Sequence, residues 1–89
     1  MKTVYKYPLQ HTDEQILEVP VGSQILSVAN QSDTIVLYAL VDTEVKQMQN
    51  ISIYIHGTGH VVYGEDIVFV GTVPFFRGNL MFHVFGKLN

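Results

Sequence analysis

Short apolar runs rich in Val, Ile, Tyr and Phe recur along the whole chain and are broken by clusters of turn residues, which is the pattern of consecutive strands. The one segment with a helix-start signal meets a proline within little more than a turn, and no composition shift or low-complexity tract divides the chain. These observations predict an all-β, mostly antiparallel fold: a small single-domain sandwich or open barrel over residues 1–89, with little or no helix.

The elements follow in order. Residues 3–7 and 15–19 are short β-prone runs, the second entered through Thr12-Asp13-Glu14-Gln15. That tetrapeptide has capping-box spacing, but Pro20 leaves too little chain for a helix to offset its nucleation cost, so a turn into a strand is expected. Pro20-Val21-Gly22-Ser23 separates it from a strand at 24–29, and Asn30-Gln31-Ser32-Asp33 precedes one at 34–41. The 34–41 run is apolar on both faces, which predicts a central strand or one covered on its far side. At 47–56, alternation puts Ile51, Ile53 and Ile55 on an inward face with Met48, Asn50, Ser52 and Tyr54 opposite. Strands at 67–72 and 80–85 complete the set, flanked by Gly64-Glu65-Asp66 and Arg77-Gly78-Asn79. Residues 67–70 and 80–85 are, like 34–41, apolar on both faces, and so many two-faced strands exceed what one small core hides, which predicts homo-oligomerisation through an apolar sheet face.

Composition excludes several classes. With 47% hydrophobic and 15% charged residues in 89, the chain is too apolar for disorder and fits one small core. The absence of cysteine removes disulfides, thiolate metal sites and cysteine nucleophiles, and suits a reducing cytoplasm. No run approaches the length of a membrane helix, and the opening residues lack the apolar stretch of a signal peptide, so neither membrane insertion nor export by that route is expected. Net charge is −3, and the five cations Lys2, Lys6, Lys46, Arg77 and Lys87 are scattered, so no basic stripe exists to track long nucleic acid. One or two cations with backbone N–H groups still suffice for a small anion.

The most informative stretch is His56-Gly57-Thr58-Gly59-His60, two imidazoles around two glycines directly after an apolar strand. Glycine there permits positive φ and close approach of a ligand to bare backbone, and successive N–H groups can form an anion nest. The third glycine of a dinucleotide fingerprint and the Gly-Lys-Ser/Thr of a phosphate loop are both absent, so a plain structural turn competes with a binding turn. His56, His60 and His83 with Glu65 or Asp66 offer metal-ligand chemistry, but without the helical spacing that would align two rings, and no metal is assigned. The serines lack a Gly-x-Ser-x-Gly elbow, and the acidic pairs Asp13-Glu14 and Glu65-Asp66 read as solvated turns, so no catalytic set is assigned. Tyrosines and the Phe75-Phe76-Arg77 run supply stacking surfaces beside a guanidinium fork, against the alternative of a phenylalanine plug at the end of the sheet.

Taken over nearly its full length, the chain resembles a family of small, uncharacterised proteins of tailed bacteriophages. The residues that carry the likeness are Tyr5-Lys6-Tyr7, Thr12-Asp13-Glu14-Gln15, Pro20-Val21-Gly22, Ile25-Leu26-Ser27-Val28, Leu37-Tyr38-Ala39-Leu40-Val41-Asp42, Gly57-Thr58-Gly59-His60, Val70-Gly71-Thr72 and Phe82-His83-Val84-Phe85. The chain departs from the pattern at Tyr38, where Trp is common, and at Val61, where Pro is common. The resemblance implies phage origin and residence in the host cytoplasm, among proteins that include oligomeric sponges for nucleotide signals of host immunity.

The expected function is therefore non-enzymatic: a homo-oligomer that sequesters a small anionic, nucleotide-derived signal such as an ADP-ribose conjugate or cyclic nucleotide, without a cofactor. In that reading Gly57, Thr58 and Gly59 admit phosphate to backbone and hydroxyl donors, and His60 and Arg77 complement its charge. Tyr38 or Tyr5 stacks a ring, and His83 completes the candidate set. The alternatives are a structural or protein-interaction module that binds a host or virion protein, and a small metal-dependent enzyme.

Overall fold

The structure, a computed structural model, describes residues 1–88 and contains seven strands with no helix among them. Strands β1 (Lys2–Pro8), β4 (Thr34–Asp42) and β3 (Gln24–Gln31) form a three-stranded antiparallel sheet in the order β1-β4-β3. Strands β2 (Glu14–Pro20), β5 (Met48–Gly57), β7 (Leu80–Leu88) and β6 (Val68–Phe75) form a second antiparallel sheet in the order β2-β5-β7-β6. The two sheets pack face to face as a sandwich with extents of 41 × 29 × 16 Å. The chain crosses between sheets at β1–β2, β2–β3 and β4–β5, and the β3–β4 and β6–β7 hairpins stay within one sheet.

Alternation accounts for the core. Ile35, Leu37, Ala39 and Val41 on one face of β4 meet Ile51, Ile53 and Ile55 of β5 and Val84 of β7, all nearly sealed from solvent. Strand β4 is central in its sheet, as its two-faced sequence predicts. The segment at 67–72 behaves differently. It lies in β6 at the edge of its sheet, with Val68 and Phe69 exposed, so its apolar character is not explained by cover within this chain. Strand β6 also runs on to Phe75 through Pro74, and an edge strand tolerates proline because one row of its N–H groups has no ladder partner.

The local turns follow from side-chain chemistry. The carboxamide of Gln15 accepts from the Gln10 N–H (3.0 Å) and donates to the Gln10 carbonyl (2.7 Å) and to Thr12 Oγ1 (3.0 Å). The residues with capping-box spacing thus brace a turn into β2. In the β3–β4 turn Ser32 and Asp33 both have positive φ (52° and 64°), the pattern of a type I′ hairpin, and Asn30 Oδ1 accepts from the Asp33 N–H at 2.9 Å. The sheets approach most closely along β3 and β6. A Cβ on Gly71 would lie 2.9 Å from Val28 Cγ2, and one on Gly86 would lie 3.0 Å from Ile25 Cδ1. Both strands carry a bulge at this level, between Ile25 and Ser27 and between Phe69 and Gly71, which bends the two edges together.

Candidate functional site

Strand β5 ends at Gly57 and the chain turns back on itself: the His60 N–H donates to the Gly57 carbonyl (3.2 Å) and the Gly57 N–H donates to His60 Nδ1 (3.3 Å). A Cβ on Gly57 would stand 2.9 Å from His60 Cε1, so the missing side chain makes room for an imidazole of the same turn. Gly59, at φ +87°, has open space around it. The turn is pinned sideways as well. Thr58 Oγ1 lies 2.8 Å from His83 Nε2, and Thr72 Oγ1 lies 3.0 Å from His83 Nδ1. Both ring nitrogens of His83 are thus held by threonine hydroxyls, each of which can donate or accept. Hydroxyl, imidazole and orienting group stand in the layout of an activated nucleophile, but the third member is a neutral threonine, which lacks the charge to stabilise an imidazolium. The arrangement fastens the turn to β7 and β6.

The other predicted residues lie elsewhere. Arg77 is exposed in the β6–β7 turn, at the same end of the four-stranded sheet as Gly57, because Gly57 pairs with Phe82 and Phe75 with Leu80. That turn holds Phe76, Arg77 and Gly78 in the left-handed region, with φ of 50°, 56° and 87°. Phe75 is buried, with its ring edge-on to Phe82 and to His11, so one of the two phenylalanines plugs the end of the sandwich and Phe76 remains exposed. Tyr38 faces outward from the three-stranded sheet, opposite to its buried neighbours Leu37 and Ala39. Tyr5 pairs with Ala39 and so projects from the other face of that sheet, where burial and the Tyr5 phenol together push the neighbouring Tyr7 phenol up. The two tyrosines cannot clamp one ring within a single chain, and neither stands at the Gly57 turn. The structure gathers Gly57, Thr58, Gly59, His60 and His83, sets Arg77 at the same end, and leaves Tyr5 and Tyr38 apart.

A residue outside that set lies at the centre of the region. His56 is on the outer face of β5, yet it is only 7% exposed, and its Nε2 has no hydrogen-bond partner among the described residues. Its ring packs 6.1 Å from that of Phe85. The chain after the turn comes back over this face: a Cβ on Gly64 would be 3.5 Å from Tyr54 Cζ, and Tyr54 shares the outer face with His56. Between this returning loop and the entry to β2 is a cleft of about 410 Å³ lined by Asp13, His56, Gly59, His60, Val61 and Tyr63. A smaller hollow of about 120 Å³, with Asp13, Gly57, His60 and Phe82 in its wall, lies on the other side of His60. The sequence marked His56 as part of the His56–His60 stretch and as a candidate metal ligand, and alternation puts it on the face with Ser52 and Tyr54, but it was not placed among the ligand-binding residues. Its burial depends on a loop whose path no local pattern specifies. Asp13 and Tyr63 had no signal beyond residue type.

The cleft presents two imidazoles, a carboxylate, a phenol and the backbone of a glycine at positive φ, all able to donate or accept hydrogen bonds. Among the described residues no three of His, Asp and Glu stand close enough to share a metal ion. Among the described residues no helix is long and apolar enough to cross a membrane. One family model, that of a domain of unknown function (DUF7352), matches residues 1–89. No curated protein and no solved structure matches the chain.

Proposed function

For this chain, which belongs to the DUF7352 family of unknown function, we propose a non-catalytic binding role: the cleft beside the Gly57 turn sequesters a small nucleotide-derived ligand. The observation that carries this reading is His56. A buried polar atom without a partner costs about 1–3 kcal/mol, and a ligand group within hydrogen-bond reach recovers that cost. The cleft, at about 410 Å³, is within the usual range for small-molecule sites. In the bound state Asp13 accepts from ribose hydroxyls, the exposed Tyr63 ring stacks against a base, and His60 and the Gly59 N–H face the phosphate. The likeness to small phage proteins extends the reading to the capture of an immune signal in the host cytoplasm.

Calorimetry against ADP-ribose and a panel of cyclic mono- and dinucleotides tests it. At least one compound is expected to bind, and His56→Phe and His60→Ala are each expected to weaken that binding at least tenfold. His56→Phe removes a stranded polar atom while keeping a ring against Phe85, so its melting temperature should stay level or rise. No binding across the panel, or binding indifferent to both substitutions, overturns the assignment.

A further inference from the structure

The four edge strands of the sandwich are not alike. On one side, β1 carries Lys2, Lys6 and Pro8, and β2 carries Glu14, Glu18 and Pro20. Charges and prolines on an edge are the ordinary means of preventing a second chain from adding to it. On the other side, β3 reads Gln24-Ile25-Leu26-Ser27-Val28-Ala29-Asn30-Gln31 and β6 reads Val68-Phe69-Val70-Gly71-Thr72-Val73-Pro74-Phe75, with no charged residue in either. The only proline there lies near the far end of β6.

The unguarded side is also the apolar one. Val68 is 68% exposed, Leu88 59%, Phe69 55% and Leu26 43%, and they border the seam where β3 and β6 meet. A cleft of about 570 Å³ opens along this seam between Ile25 and Val68, with Asp66 and Lys87 in its wall. Neither charge forms an ion pair among the described residues.

We propose that this seam is the interface between two copies of the chain related by a two-fold axis. Such an interface is self-complementary, so each contact between two different residues occurs twice. An apolar strip with one acid and one base side by side at its end meets that condition: Leu26, Val68 and Phe69 pack against their counterparts, and Asp66 of each copy faces Lys87 of the other. The oppositely charged pair selects a second copy over an unrelated partner, because the same surface supplies both halves of each bridge. The proposal does not depend on the cleft at His56.

Sedimentation velocity and light scattering on the intact chain, from about 1 to 100 µM, are the test. A dimer is expected, with Val68→Lys and Phe69→Lys each raising its dissociation constant at least a hundredfold. Both side chains are exposed, so far-ultraviolet dichroism and the melting profile of the diluted monomer should match those of the parent. Asp66→Lys and Lys87→Asp are each expected to weaken the dimer at least tenfold, and the double exchange to restore it. A monomer throughout the range, as for a seam that serves an unrelated protein, overturns the proposal. So does a dimer that ignores the lysines on β6, or a charge exchange without recovery.

Discussion

At the scale of single residues, several glycine and histidine positions have structural duties that the sequence shows only as possibilities. The Gly57-Thr58-Gly59-His60 turn was legible as a turn, because two glycines after an alternating strand leave little else. Its internal bonding was not legible: the His60 ring occupies the space Gly57 leaves, and Thr58 is committed to His83. Asp42 is a second case. The Glu44 N–H donates to its Oδ1 at 3.1 Å, and the terminal ammonium of Met1 lies 3.1 Å from the same oxygen. The Glu44 N–H and then the ammonium hold this carboxyl below its ordinary range. A depressed folded-state value adds stability above the unfolded value of about 4, and that stability is lost as pH falls through the folded one. The gap in melting temperature between the parent and Asp42→Asn is therefore expected to be widest near neutrality and to close below about pH 4. A gap that stays constant from pH 7 to pH 3 would contradict this.

At the scale of elements, all seven strands were legible, since period-2 alternation and turn residues act locally. The ends were less so. The continuation of β6 past Thr72 was hidden by Pro74, which is tolerated only because β6 is an edge, and edge position is a property of the sheet. The β3–β4 hairpin offers a prediction at this scale. Ser32 and Asp33 both adopt positive φ, where L residues other than Asn and Asp are strained and glycine is not. Replacing them with Asn-Gly (Ser32→Asn with Asp33→Gly) is expected to stabilise the chain by about 1 kcal/mol, and the bond to Asn30 survives because its donor is backbone. Urea unfolding reads this as a higher midpoint at unchanged slope. An unchanged or lower midpoint would mean that the native turn is already relaxed.

At the scale of the whole molecule, the sandwich class was legible in the composition of the strands, but the partition into β1-β4-β3 and β2-β5-β7-β6 was not. Three strand-to-strand connections cross from one sheet to the other, and no local signal specifies where a chain crosses. This is also why the predicted site residues scattered: Tyr5 and Tyr38 fall in one sheet and the glycine turn in the other. The contact that joins the sheets is testable. Gly71→Ala places a Cβ against the stiff side chain of Val28 and is expected to cost about 1–3 kcal/mol. Val28→Ala opens that space, so the double variant should recover part of the loss, and strict additivity would show that the two residues do not meet.

The uneven distribution of charge and proline among the four edges bears on how far self-assembly can run. A pair joined through β3 and β6 consumes both unguarded borders at once and turns outward only the strands that carry Lys2, Lys6, Glu14 and Glu18. In the proposed pair, growth would end at two rather than propagate into a fibre.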